Sequence, residues 1–186
     1  MAEANPEEML RAIDGARRIA IVGSPGAGKS TLARALAART GLPLVHLDQL
    51  HWGPGWTEPP EPVWQARVAE AAAGERWIID GNYGGSFAPR LARADLVLWL
   101  DLPTWRCLWR VTRRALVGWG RVRADMALGC PERLDPAFLR YVLNFRRAKR
   151  AALAATLAGS PAPVLHLARV RTLKTLAAML VRERTG

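Results

Sequence analysis

A parallel β-sheet covered by helices on both faces is the fold class this sequence predicts, and three observations carry it. Short apolar runs alternate with stretches of helical spacing along the chain. The runs are apolar almost without interruption, as strands buried on both faces are. The first of them passes straight into a glycine-rich turn that opens a helical stretch. With 186 residues, half of them apolar and 23% charged, the chain has the composition of one globular domain spanning 1–186 and is too short for two motor domains.

The elements follow in order. Residues 1–16 read as an N-terminal extension, and Arg17 to Val22 as the first strand. Leu32 and Leu36, with alanines between them, mark a helix that stops at Gly41. Pro43 to Leu47, Trp77 to Ile79, Leu96 to Leu100 and Val164 to Leu167 complete five strands. Helical spacing recurs over Val63 to Ala73, Thr104 to Val117, Pro136 to Leu157 and Leu173 to Val181. Pro54 to Pro62, with four prolines, is a loop, and Gly118 to Leu134 is a second, lid-like insert. Ligands of such sheets bind at the carboxyl ends of the strands.

Several function classes drop out on composition. The start of the chain is acidic, with no apolar segment behind a basic one, and no run approaches 18 apolar residues, so neither export nor a membrane span is expected. Cys107 and Cys130 have no metal-ligand spacing and read as reduced thiols, which fits a cytoplasmic location. The net charge of +11 is concentrated: residues 1–100 carry ten basic and eleven acidic side chains, whereas 106–150 carry twelve basic against Asp125, Glu132 and Asp135. Such a block attracts phosphates, nucleic acid or an acidic surface.

The chemistry is most legible after the first strand. Gly23, Ser24, Gly26, Ala27, Gly28, Lys29, Ser30 and Thr31 lie in a complete G-x-x-x-x-G-K-S followed at once by helix. Glycines there turn consecutive N–H groups toward a phosphate, and the helix points its positive end at the same anion. Lys29 is expected on the β- and γ-phosphates of ATP, and Ser30 on Mg2+. The chain has 24 arginines and only three lysines, so a lysine at this position is not its default cation.

A site that cleaves a triphosphate also needs an acid near the magnesium. Asp80 and Asp101 each end a strand; Asp80 is favoured because Gly81 and the glycines at 84 and 85 let backbone approach a ligand, while Leu102-Pro103 looks like an ordinary helix entry. Asp48 follows the second strand, at the edge where an acceptor would sit and where a carboxylate could orient or deprotonate a hydroxyl. His51 and Tyr83 are placed near it as substrate-binding candidates, whereas His46 and His166 read as core histidines. On the helix from Thr104, Arg106, Arg110 and Arg113 share one face with Arg114 beside them, opposite Trp105, Leu108, Trp109, Thr112 and Leu116. Arg121 and Arg123 follow in a glycine-hinged segment with the features of a lid that brings guanidinium groups onto a transferring phosphoryl group.

GSPGAGKST, LVHLDQLHW, WIIDGNY, ADLVLWLDLP and GCPERLD, taken in order over about residues 17–150, resemble the DNA topology modulation protein family, a branch of the adenylate-kinase-like P-loop proteins. The resemblance implies a nucleoside-monophosphate-kinase-like fold with strand order 2-3-1-4-5, ATP at Gly23 to Thr31 and an arginine-bearing lid. It matches Arg90 most nearly to the arginine that holds the acceptor phosphate in adenylate kinases, although Gly-Asn-Tyr stands here where those enzymes have Gly-Phe-Pro-Arg. The expected function is transfer of the γ-phosphoryl group of ATP·Mg2+ to a small-molecule acceptor, a nucleotide or similar. The competing expectation is an ATP-regulated protein that binds nucleic acid through its basic block, although no helix-turn-helix, aromatic sheet motif or zinc spacing is present.

Overall fold

The computed structural model describes residues 5–182. Five parallel strands form its centre: β1 (Arg18–Gly23), β2 (Leu44–His46), β3 (Trp77–Asp80), β4 (Leu96–Leu100) and β5 (Val164–Leu167), in the order β2-β3-β1-β4-β5. The expected fold class and strand order are therefore observed, and five of the ten strand ends move, each by one residue. Asp95 fixes the entry to the sheet: its Oδ2 accepts the backbone N–H groups of Arg17 and Arg18 at 3.1 and 2.9 Å, and its Oδ1 the Arg18 guanidinium at 2.8 Å.

Side chains alternate strictly across the sheet, and both faces are buried. Ile19, Ile21, Ile78, Leu96, Leu98 and Leu100 join one core, which α1 (Pro6–Gly15), α2 (Lys29–Thr40), α6 (Thr104–Val117) and α9 (Val170–Arg182) cover. Ala20, Val22, Trp77, Ile79, Val97 and Trp99 face the second core, filled by Leu47, Trp64, Val68, Leu91, Phe145, Leu153 and Leu157 from α3 (Leu47–His51), α4 (Glu61–Ala73), α5 (Phe87–Leu91), α7 (Pro136–Ala148) and α8 (Arg150–Ala158). Among the described residues no helix is long and apolar enough to cross a membrane.

Two expectations are corrected. The segment read as an N-terminal extension contains α1, which buries Met9, Leu10 and Ile13. Asn5 starts it with a capping box: the Asn5 side chain accepts from the helix backbone while Glu8 reaches back to the Asn5 N–H, and Pro6 takes the first turn. The helix expected over 136–157 is two helices that part at Lys149 (φ −121°). No residue type there breaks a helix; α7 sends Val142 to the first core and Phe145 to the second, and α8 sends Leu153 and Leu157 to the second. The buried stripe of α6 is Cys107, Val111 and Ala115, so the face of Trp105, Trp109 and Leu116 looks outward, with Trp105 65% and Trp109 62% exposed.

Candidate active site

The turn after β1 is held in place by its neighbours before any ligand is considered. Gly23 (φ +129°) lies so close to β4 that a Cβ would meet the Leu100 carbonyl oxygen at 2.0 Å. Its N–H donates to Asn82 Oδ1 at 2.9 Å and its carbonyl accepts from Asn82 Nδ2 at 2.8 Å, so one side-chain amide grips both backbone groups. Arg110 closes the opposite side by donating to the Ala27 carbonyl at 3.0 Å. Gly28 caps α2 in a left-handed conformation with no side-chain cap, which leaves the first N–H groups of the helix to an anion.

Lys29 lies against this loop, with Nζ donating to the carbonyls of Gly23 and Ser24 at 3.1 and 3.2 Å. Burial pulls its pKa down, opposed most strongly by Asp80 and then by Asp48. Three charges of the expected site are thus brought together. Asp80 ends β3 opposite Ile21 of β1 and His46 of β2, and is 5% exposed. Its Oδ2 lies 3.0 Å from His46 Nδ1, while its Oδ1 is buried without a partner. A buried carboxylate oxygen that lacks a partner suits a hard cation or a water bound to one. Ser30 follows Lys29 on the first turn of α2.

Asp101 has a different environment. Arg150 Nε donates to it at 2.7 Å, Arg146 pairs with it at 3.4 Å and His166 Nε2 lies 3.2 Å away, so two cations and an imidazole satisfy a carboxylate that is 2% exposed. Between the two strand-ending acids, Asp80 has an oxygen to spare and Asp101 does not.

On the other flank Asp48 accepts from the Tyr83 hydroxyl at 2.7 Å. Burial first, and then Asp48, raise the Tyr83 pKa, so the phenol keeps its proton and remains a donor. His51 sits among Trp52, Trp64 and Tyr83 with ring centroids 4.9, 4.7 and 4.5 Å apart, and Trp52 meets Trp56 at 5.5 Å. Trp56 and Tyr83 are the two non-glycine residues with positive φ among those described, at +65° and +44°.

The arginines divide. Arg110 and Arg114 face the loop and the insert; Arg106 and Arg113 lie over the rings of Trp105 and Trp109 at 4.5 and 5.9 Å and away from it. Within the insert Glu132 is shared by Arg114 at 3.2 Å and Arg123, and Arg123 also pairs with Asp125 at 2.6 Å. The charge of Arg123 is therefore neutralised in place, while the Arg121 side chain is exposed. Arg90 departs furthest from expectation: it is 0% exposed and donates to the carbonyls of Ser86, Gly81 and Asn82 and to the Ser86 hydroxyl. It shapes the turn carrying Asn82 and Tyr83 instead of facing an acceptor, because Gly-Asn-Tyr bends the chain so that three carbonyls converge on it.

The insert is docked over this assembly. Gln49 donates to the Ala124 carbonyl at 2.7 Å, Gly55 N–H to the Gly129 carbonyl at 3.0 Å, and the Cys130 thiol to the Gly53 carbonyl at 3.1 Å. Asn82, His46, Asp125 and Glu132 were not singled out as site residues on sequence; only the pairing of the strands and the fold-back of the insert bring them here.

No protein-family model matches the chain. A shikimate kinase of Bradyrhizobium diazoefficiens is 33% identical over 129 residues, which are 61% of this chain and 62% of that one, so the chain spans less than two thirds of the length of the curated relative it matches. Among solved structures, shikimate kinase from Bacteroides thetaiotaomicron is similar with a TM-score of 0.55 and 17% identity, over 92% of this chain and 100% of the other. Shikimate kinase from Acinetobacter baumannii in complex with shikimate is similar with a TM-score of 0.51 and 18% identity, over 94% of this chain and 97% of the other. Together with the strand order, these likenesses show an adenylate-kinase-like P-loop fold.

Proposed function

We propose that the chain is a phosphotransferase that moves the γ-phosphoryl group of ATP to a small-molecule acceptor. The observation that carries this reading is the convergence of Lys29, Asp80 and Asp48 at the carboxyl ends of β1, β3 and β2. The similarity to a shikimate kinase over 129 residues supports the same class of chemistry.

The chain's own residues divide the work. Backbone N–H groups of Gly26 to Ser30 and the ammonium of Lys29 hold the phosphates, and Lys29 exchanges its two loop carbonyls for phosphate oxygens. Ser30 and Asp80 are the residues that would hold Mg2+, which neutralises the phosphates and polarises the transferred group; the orphaned Asp80 oxygen fits it. Asp48 orients the acceptor hydroxyl and takes its proton. Arg110, Arg114 and Arg121 offset charge on the phosphoryl group, with Arg123 joining when it leaves Asp125 and Glu132.

ATP turnover in the presence of acceptor tests this directly. Lys29→Ala is expected to lower it by about 100-fold or more, the scale of losing a preorganised contact to developing charge. Turnover close to that of the unaltered protein would remove Lys29 from the reaction and the reading with it.

A second reading follows the resemblance to the DNA topology modulation family and rests on the outward face of α6, where exposed Trp105 and Trp109 stand beside Arg106 and Arg113. Binding to nucleic acid through this face together with the rest of the basic block, at about six phosphate contacts, would weaken by about 10³-fold between 50 and 200 mM salt and would not depend on Lys29.

A further inference from the structure

We propose that the acceptor is a hydroxyl compound without an anionic group, of the polyol or amino-polyol class, packed against the rings of His51, Trp52 and Trp56 with its reacting hydroxyl at Asp48. The proposal rests on the phosphotransferase reading above and narrows it.

The charge around His51 carries the first part. Glu58, Asp48 and Glu61 each act on this ring more strongly than Arg67 does. Arg67 is occupied on the carbonyl of Leu50 at 2.7 Å. Arg133 lies over the Trp56 ring at 5.4 Å, with Asp135 at 3.5 Å as its own partner. Arg90, where an acceptor phosphate would be expected to bind, is sealed away on backbone carbonyls. A phosphate or carboxylate entering here would meet three carboxylates beside the His51 ring, while the guanidinium groups near the rings, Arg67 and Arg133, already have partners of their own, and the repulsion strengthens as water is excluded.

The aromatic groups carry the second part. Indole and imidazole faces bind the C–H faces of ring polyols and, with the carboxylates nearby, attract ammonium groups. Two polar atoms in the cluster, His51 Nδ1 and Trp56 Nε1, are buried without hydrogen-bond partners. Burial lowers the His51 pKa, so the ring is held neutral and offers an anion no charge, while its nitrogen and the indole N–H can each pair with a hydroxyl group. With Oδ1 of Asp48 engaged by Tyr83, its second oxygen is left to the acceptor.

The step balances with the residues named. The acceptor hydroxyl oxygen attacks the γ-phosphorus, the bond from that phosphorus to the bridging oxygen of ADP breaks, and the hydroxyl proton passes to Asp48 and then to water. The products are ADP and a phosphate monoester.

The test is a panel with ATP and magnesium, read as monoester by mass spectrometry and as ADP by a coupled assay. One half holds glucose, inositol, ribonucleosides and glucosamine; the other holds shikimate and the nucleoside monophosphates. At least one compound of the first half is expected to raise ADP release by about 10-fold or more over the rate without acceptor, with the second half at background. Trp56→Ala is expected to raise KM for that compound by about 10-fold and leave KM for ATP within about two-fold, and Trp56→Phe to restore most of the loss. Preferential turnover of shikimate or of a nucleoside monophosphate would overturn the acceptor class and leave the phosphotransferase standing. ATP bound but not turned over with either half would overturn both.

Discussion

Replacing Asn82 with alanine tests how the loop after β1 is held. The amide accepts the Gly23 N–H at 2.9 Å and donates to the Gly23 carbonyl at 2.8 Å. The two losses are unequal. The Gly23 carbonyl keeps Lys29 Nζ at 3.1 Å, whereas the N–H, in a residue that is itself buried, loses the partner identified for it. One net hydrogen bond lost from the carbonyl and one donor stranded cost about 2–3 kcal/mol together. For a chain of this size that is a fall of about 4–12 °C in Tm. Differential scanning calorimetry reads the stability, and titration with a nucleotide reads the loop, where affinity is expected to fall as well because the backbone N–H groups lose their fixed arrangement. Asn82→Asp separates the two bonds: its carboxylate still accepts from Gly23 N–H but faces the Gly23 carbonyl without a donor. A Tm for Asn82→Ala within a degree of the unaltered protein, with nucleotide affinity unchanged, would refute the idea that this amide fixes the loop.

Two further outcomes follow from the carboxylates. Asp101→Asn is expected to cost about 1–3 kcal/mol in urea unfolding, less than for a sealed ion pair because Arg146 and Arg150 are more than a third exposed and can hydrate. It should leave the magnesium concentration for half-maximal turnover unchanged, whereas Asp80→Asn raises it by about 10-fold or more. Asp95 has its pKa held below the ordinary value, chiefly by its hydrogen bond to the Arg18 side chain, with burial opposing and the N–H groups of Arg17 and Arg18 assisting. A depressed folded-state pKa means stability that is present above the unfolded value of about 3.9 and is lost as pH falls through the folded one. The stability difference between the unaltered protein and Asp95→Asn, about 1 kcal/mol at pH 7, should therefore shrink below pH 4.

What was legible in the sequence is what local chemistry determines. The strands announce themselves because both faces of the sheet are buried, so Leu96 to Leu100 has no polar interruption. The helix at Thr104 to Val117 has the observed boundaries because Pro103 precedes it and Gly118 ends it. α1 was also written in the chain, in Asn5-Pro6-Glu7-Glu8, but an acidic start draws the eye to charge and away from a cap. The orientation of α6 was not legible. Arg106 and Arg113 lie over the indoles and not opposite them, and the stripe that meets the core is a third, smaller one, Cys107, Val111 and Ala115, because the loop leaves little room: a Cβ on Gly26 would lie 2.7 Å from the Cys107 carbonyl. Large side chains could not approach so closely, and the indoles turn out to solvent.

Asp80 and Asp101 show most plainly where local reading stops. Each ends a buried strand, each strand pairs with β1, and the two flank the same glycine turn. Their chemical fates are set by chain far from either. Asp101 is claimed by Arg146 and Arg150, which reach it because α7 and α8 part at Lys149, and by His166 from β5. Asp80 hydrogen-bonds His46 across the β2–β3 register, and an imidazole at one oxygen leaves the other without a hydrogen-bond partner among the described residues. A buried carboxylate oxygen left in that state is costly unless a ligand completes it. The acid that folding leaves unsatisfied, beside the lysine whose burial likewise favours a bound anion, is thus the one available to bind metal and phosphate, whereas the fully paired acid stabilises the sheet's edge.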